Sequence, residues 1–470
     1  MQYKYTVLTN TTIGAFMSQL DGNIVLISLP TIIRELPGTT TFDGLWVIMG
    51  YFLVTATLLL TFGRLADIYG RVKLYNLGFA IFTVGSGLCS IAPNGVSLVL
   101  FRLVQGTGGA LIFANNAAIL TDAFPSTERG RAIGINQVMG VSGSVLGLVA
   151  GGVLSTTLGW RSIFWINLPV GIFATAWAYL RLKELATIRR ERLDPLGNAC
   201  FAGGLSVFLL GLTLGAISGF TAVEIGMMII GLLMLVGFVY VELKVQSPVM
   251  DLTLFRIRAF TAGMLSNLLA SISRGAVQLV LVFYFQGALL LDAITAGVLL
   301  IPFSIAFVCA GPLSGYLSDK YGARGFSTGG LIVSAAAFAW FSLLPADVPY
   351  TILALPMILA GIGGGMFVAP NISSIMSASP VERRGIASGM SSTMVTTGFV
   401  LSLGVAFAML ATSMPPSTLQ AIFAGLPIAA NALNVDLFID AMHKIFLMVA
   451  VVSLIAAVPS SMRGSRHIQA

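Results

Sequence analysis

Three ionisable side chains lie deep inside apolar stretches of this chain: Asp21, Arg102 and Arg274. A charge at the middle of a bilayer is costly, so one that persists there is paired or functional. Asp21 precedes Pro30, the outer end of its stretch, by nine residues, or roughly 13 Å at the helical rise. A carboxyl group at such a depth takes up a proton in dry surroundings and releases it beside an arginine, so its protonation can follow helix movement. Arg102 enters its own stretch from the same side, with Gln105 one turn on. Arg274 stands 253 residues after Asp21 and shares a helical face with Gln278. Arg274, Gln278, Asn115 and Asn116, together with Asp21, are the candidates for lining a substrate cavity; Asp21 and Arg102 are the candidates for handling a proton. Metal chemistry has no such basis. Cys89, Cys200, Cys309, His443 and His467 share no ligand spacing, and no intramembrane carboxylate cluster offers acid-base catalysis, so the chain does not read as an enzyme.

The elements that position these groups follow from composition. Of 470 residues, 57% are hydrophobic and 9% charged, too few charges to cover soluble domains of this size. The chain reads as an all-α polytopic membrane protein. Apolar stretches predict fourteen transmembrane helices near 8–30, 44–63, 74–92, 97–121, 132–155, 162–182, 197–218, 222–242, 259–287, 294–317, 326–344, 350–377, 386–411 and 440–460. With the N-terminus inside, the cytoplasmic loops collect cations such as Arg64, Arg71, Lys73, Arg129, Arg131, Arg189, Arg190, Arg192, Lys320, Arg324, Arg383, Arg384 and Arg466, against Arg34, Arg161 and Lys444 outside. The positive-inside rule therefore places both termini in the cytoplasm and accounts for the net charge of +7 without nucleic acid.

The chain also repeats itself. Gly63-Arg64-Leu65-Ala66-Asp67-Ile68-Tyr69-Gly70-Arg71 returns as Gly315-Tyr316-Leu317-Ser318-Asp319-Lys320-Tyr321-Gly322-Ala323-Arg324, an offset of 252. Glu128 to Gly134 is echoed from Glu382, and Gly106, Gly108 and Gly109 by Gly361, Gly363 and Gly364. These matches predict two parallel six-helix halves, residues 1–185 and 251–470, joined by a linker with two inserted helices over 186–250.

These motifs resemble the major facilitator superfamily, and within it the fourteen-span drug:proton antiporter group. Gly63 to Lys73 resembles the family's loop between helices two and three, Leu20 to Pro30 its acidic helix-one signature, Arg102 to Gly109 its helix-four arginine motif, and Trp160 to Pro169 its start of helix six. The resemblance implies proton handling at Arg102 and a cytoplasmic conformational latch at Gly63, Asp67, Gly70 and Arg71, with a weaker copy at Asp319 and Arg324. In helix five Gly143, Gly147, Gly151 and Gly152 match the antiporter pattern, but Leu148 stands where that pattern has proline. The four-residue spacing makes a smooth stripe suited to close helix packing or to rocking.

The expectation is a secondary active transporter of the multidrug efflux type in the cell membrane, exporting hydrophobic or amphipathic small molecules by alternating access. It would work as a monomer, with the proton gradient in place of any cofactor. The alternative is proton-coupled transport of an anionic metabolite. A nucleotide-driven pump is not expected, since Gly361 to Gly365 lacks the lysine of a phosphate loop.

Overall fold

The computed structural model describes residues 3–125, 128–185, 193–245, 248–345, 348–380, 383–426 and 432–463. The linker cations Arg189, Arg190 and Arg192, and also Glu382, Arg466 and His467, lie outside the described residues.

The chain is helical throughout its described length. The helices are α1 (Tyr3–Glu35), α2 (Thr41–Tyr69), α3 (Arg71–Ser90), α4 (Gly95–Ala123), α5 (Arg129–Thr157), α6 (Ser162–Trp165), α7 (Asn167–Arg181), α8 (Pro195–Ser218) and α9 (Ala222–Lys244). They continue as α10 (Arg258–Phe283), α11 (Ala293–Leu299), α12 (Ile301–Tyr321), α13 (Ala323–Phe341), α14 (Tyr350–Ala378), α15 (Arg384–Ser413), α16 (Pro416–Phe423) and α17 (Ala432–Ser461). Among the described residues thirteen helical segments are long and apolar enough to cross a membrane. Two of these combine shorter helices: α6 runs into α7, and α11 into α12, where Pro302 sits just inside the new helix and lacks the N–H that would continue the old one. The thirteen leave out α13, which has 19 residues and an arginine near its start. The short helix α16 breaks the long stretch between α15 and α17 and was not anticipated by the apolar pattern.

The helices group into two compact units. The first comprises Met1–Met250, Val282–Val298 and Leu419–Pro427; the second comprises Asp251–Leu281, Leu299–Thr418 and Ile428–Ala470. In the first unit α1 packs along α5, α4 lies between α2 and α3, and α7 lies on α3. The pair α8 and α9 pack on each other through Gly204 and Gly231 and reach α2 through the Trp46 indole N–H, which donates to Thr213 Oγ1 at 3.2 Å. In the second unit α14 packs on both α12 and α13, and α13 on α17.

Glycines set these approaches, because in an apolar environment close van der Waals contact replaces the hydrophobic drive between helices. A Cβ on Gly147 would stand 2.7 Å from the Leu20 carbonyl of α1, and one on Gly143 would collide with the Phe16 carbonyl. Gly151 faces Ile24 and Ile27 of α1, whereas Gly152 points the other way, to the Ala293 carbonyl of α11. The helix-five stripe is thus the seat of α1, the helix that carries Asp21. Leu148, fully buried, keeps α5 continuous where a proline would remove an N–H.

The same contacts recur in the second unit at the sequence offset. Gly398 of α15 meets the Leu268 carbonyl of α10 as Gly143 meets Phe16. Gly361 of α14 meets the Phe303 carbonyl of α12 as Gly106 of α4 meets that of Tyr51. Gly363 lies against Ser334 of α13 as Gly108 lies against Phe82 of α3. Asn116 Nδ2 donates to the Thr11 carbonyl at 2.7 Å, and Asn371 Nδ2 to the Gly263 carbonyl at 3.4 Å. Internal duplication therefore extends from loop motifs to helix-pair registers.

Candidate functional site

In the first unit the deep polar residues converge on one carboxylate. Asp21, at the middle of α1, is fully buried. Its Oδ2 accepts from Arg102 Nη1 of α4 at 2.6 Å. Its Oδ1 accepts twice, from Gln105 Nε2 and from Asn167 Nδ2 of α7, each at 2.8 Å. Arg102, also fully buried, is held by its Nε, which donates to the Val47 carbonyl of α2 at 3.0 Å, and by Nη1, which donates to Gln105 Oε1 at 2.6 Å. Its guanidinium lies over the Tyr51 ring, 4.3 Å from the centroid, with Phe164 behind at 5.9 Å. Gln105 donates further to Ser86 Oγ of α3 at 2.7 Å. One carboxylate thereby ties together α1, α4 and α7 directly and α2 and α3 through Arg102 and Gln105.

The local sequence explains this convergence. Gly85 of α3 has no room for a side chain, since a Cβ there would stand 2.7 Å from Gln105 Cα; the missing group lets α3 and α4 meet at the level of the network. Gly106 and Gly109 similarly admit Tyr51 of α2 against α4. The short helix α6 ends before Asn167, so that residue begins α7 and can direct its carboxamide inward. Within this network two polar atoms stay without a hydrogen-bond partner among the described residues: Arg102 Nη2 and the Tyr51 hydroxyl, both buried. A buried polar group with spare bonding capacity is uncommon and marks a place where partners change or water enters.

The other anticipated residues fall elsewhere. Asn116 is a tie between α4 and α1, and Asn115 Nδ2 donates to the Leu111 carbonyl of its own helix at 2.8 Å, leaving Oδ1 buried and unbonded among the described residues. Arg274 and Gln278 lie half-buried on α10. Among the described residues Arg274 has no ion pair or hydrogen bond, a contrast with Arg102.

At the end of α2 the first copy of the loop motif forms an ionic cluster. Arg71 binds Asp67 at 2.8 Å and Asp122, at the end of α4, also at 2.8 Å. Glu184 Oε2 accepts the Val72 N–H at 2.9 Å and crowds Gly70. Gly70 has φ +105° and Gly322 has φ +92°, so both copies make the same left-handed turn that favours glycine. Gly63 faces open space. The second copy keeps the turn without the cluster: among the described residues neither Asp319 nor Arg324 has an ion-pair partner. Asp122 and Glu184 were not singled out in the sequence, where nothing but a position near a helix end distinguishes them.

Among the described residues a duplicated helical scaffold with thirteen segments able to cross a membrane, and a buried ionic network in its first unit, is the architecture of a polytopic membrane protein. The chain belongs to the Major Facilitator Superfamily, whose family model matches residues 11–263 and 263–462. It is 34% identical over 408 residues to the riboflavin transporter RibZ of Clostridioides difficile, covering 87% of this chain and 88% of that protein. It is 30% identical over 410 residues to the multidrug resistance protein Stp of Mycobacterium tuberculosis, covering 86% and 75%. The fold matches the crystal structure of a bacterial homologue of the human lysosomal transporter Spinster, with a TM-score of 0.69 and 16% identity over 98% of this chain and 97% of that one. The protein is therefore a multi-pass membrane protein and a secondary transporter, not an enzyme.

Proposed function

We propose that this protein exports hydrophobic or amphipathic small molecules across the cell membrane in exchange for protons, by alternating access. The observation that carries this reading is Asp21: among the described residues it is the carboxylate placed at mid-span and wholly withdrawn from solvent, and it is bound to a cation that has further bonding capacity. An ionised carboxylate in that place needs Arg102, Gln105 and Asn167 together. Moving any of α4 or α7 away from α1 removes a donor and favours the neutral acid, so helix movement and proton uptake become one event. The neutral acid keeps a hydrogen bond to Arg102 without the ionic attraction, which loosens α4 from α1. Relatives named for multidrug resistance support the direction and the substrate class.

In this reading α13 is the fourteenth span, both termini are cytoplasmic, and residues 1–185 and 251–470 are the two moving halves with 186–250 as an insert. The Asp67, Arg71 and Asp122 cluster is the cytoplasmic latch, and the monomer is the working unit, with the proton gradient as the energy source.

The test is transport by purified protein in proteoliposomes under an imposed pH gradient, with cationic, neutral and anionic amphipathic dyes. Asp21→Asn abolishes gradient-driven accumulation while retaining counterflow exchange, which also reports that the variant is folded. Gradient-driven accumulation by Asp21→Asn at the wild-type rate overturns the proposal.

A further inference from the structure

Among its described residues the second unit carries a mid-span cation and no mid-span anion. Its acidic residues are Asp251, Asp319, Asp347, Glu382, Asp436 and Asp440. Asp251 lies before α10 and binds Arg383 at 2.6 Å; Asp440 binds Lys444 at 2.7 Å near the start of α17; Asp319 is at the end of α12; Asp347 and Glu382 lie outside the described residues, in the connections flanking α14. Arg274, by contrast, is sixteen residues into α10, roughly 24 Å along the helix from Arg258.

Its surroundings fix its depth. The Arg274 stem lies against α14 at Gly364, where a Cβ would stand 3.8 Å from Arg274 Cδ and 3.0 Å from the Phe307 ring of α12. Phe307 is twelve residues before Asp319, roughly 18 Å along α12. Among the described residues of this unit no carboxylate pairs with Arg274. The backbone that carries the arginine is pinned, because Ala276 N–H donates to Ser402 Oγ of α15 at 2.7 Å and Ser273 Oγ donates to the Val449 carbonyl of α17 at 2.8 Å. The glycine at 364 leaves a gap filled by an arginine stem on one side and an aromatic face on the other.

We propose that Arg274 is the recognition point for a negatively charged group on the transported molecule, a carboxylate or phosphate borne on an apolar or aromatic body, with Phe307 beside it as the apolar surface. Guanidinium binds such groups through paired N–H donors. A cation held at mid-span without a counter-ion is costly, and a ligand anion offsets that cost only while bound. The same charge repels cationic amphiphiles, so the substrate class narrows from amphipathic compounds in general to amphipathic anions. Asp21 does not serve this role, since both its oxygens are already occupied in the first unit. The inference rests on the reading of the chain as an exporter for the existence of a transported molecule, but its test needs no gradient.

Equilibrium binding of fluorescein (anionic) and rhodamine 6G (cationic) to purified protein in lipid nanodiscs, at one pH on both sides, decides it. Wild type binds fluorescein more tightly than rhodamine 6G. Arg274→Gln weakens fluorescein binding about ten-fold or more and leaves rhodamine 6G unchanged or tighter; Arg274→Lys restores part of the loss, which a merely structural arginine would not predict. Preference of the wild type for the cationic dye, absence of saturable fluorescein binding, or equal fluorescein binding by Arg274→Gln each overturns the proposal. Because binding is read at one pH on both sides, loss of the anion preference counts against this inference alone, whereas absence of gradient-driven transport by the wild type counts against the proton-exchange reading.

Discussion

The Asp21 and Arg102 pair permits a thermodynamic prediction worked from its bonds. Arg102→Gln removes the guanidinium that contributes one bond to Asp21, one to Gln105 and one to the Val47 carbonyl, leaving a fully buried carboxylate with two neutral donors. Asp21→Asn removes the anion and leaves a fully buried guanidinium whose remaining acceptors are Gln105 and Val47. Breaking one side of a buried pair costs about 3–5 kcal/mol, because the other charge stays buried without compensation. The double variant Asp21→Asn with Arg102→Gln has neither charge, and its two carboxamides can bond each other. Its cost is expected near that of one single substitution, giving a coupling energy of about 3–5 kcal/mol, well above the roughly 0.5 kcal/mol within which independent sites add. The assay is reversible unfolding in mixed detergent micelles followed by circular dichroism, for wild type and the three variants. Additivity of the two single effects within about 0.5 kcal/mol would mean that the pair contributes nothing as a pair, and the reasoning from burial would be refuted.

Two further predictions test packing and the second unit. Gly143→Val places side-chain atoms against the α1 backbone and is expected to destabilise by about 1–3 kcal/mol or more, whereas Gly134→Ala, at an exposed position with open space on the same helix, leaves thermal stability unchanged or slightly raised; equal melting temperatures in a detergent thermal-shift assay would contradict the assigned α1 and α5 seat. Arg463, just beyond the end of α17, is buried against Ser327 and Asn371, and burial pushes its guanidinium down to about 10. The unfolded chain then binds the proton more tightly than the native one, so stability rises as pH climbs above about 10. Arg463→Gln, which keeps a partner for Asn371 without the charge, is expected to flatten that rise and to stabilise at neutral pH by about 1–3 kcal/mol; a lower melting temperature for the variant, with an unchanged pH slope, would refute it.

The sequence is informative about this protein wherever a residue type is out of place in its local environment. Asp21, Arg102 and Arg274 are conspicuous because charges interrupt apolar runs, and the duplication is conspicuous because Gly-x-x-x-Asp-x-x-Gly occurs twice at one offset. Gln105 is legible as the next polar position on the face of Arg102. Asn167, Ser86 and Tyr51 are not, since a carboxamide at a helix start, a serine in α3 and a tyrosine in α2 are ordinary in isolation and become part of the network when Gly85, Gly106 and Gly109 bring three helices into contact. Asp122 is invisible for the same reason: its partner Arg71 is 51 residues away, and no local pattern links a helix end to a loop cation. The interruption between α11 and α12 has a local cause in Pro302, but the separate helix α16 does not stand out from composition.

The two units differ in chemistry far more than in packing. Glycine contacts and the Asn116 and Asn371 ties recur at matching positions, so the mechanical parts of the duplication have been kept. The ionic parts have not. In the register of the helix contacts the position in α10 that matches Asp21 is Ser273, next to Arg274, and the position in α14 that matches Arg102 is Met357; neither carries a charge. The second loop motif keeps its glycine turn while Asp319 and Arg324 have no ion-pair partners among the described residues. An exchange device needs only one titrating group to couple one proton, and a second identical site would add a burial cost without a second function. The second unit thus has no counterpart of the Asp21 and Arg102 pair, and its mid-span charge among the described residues, Arg274, stands one residue beyond the place that matches Asp21. A division between proton and substrate recognition would require such an asymmetry of two copies of one scaffold.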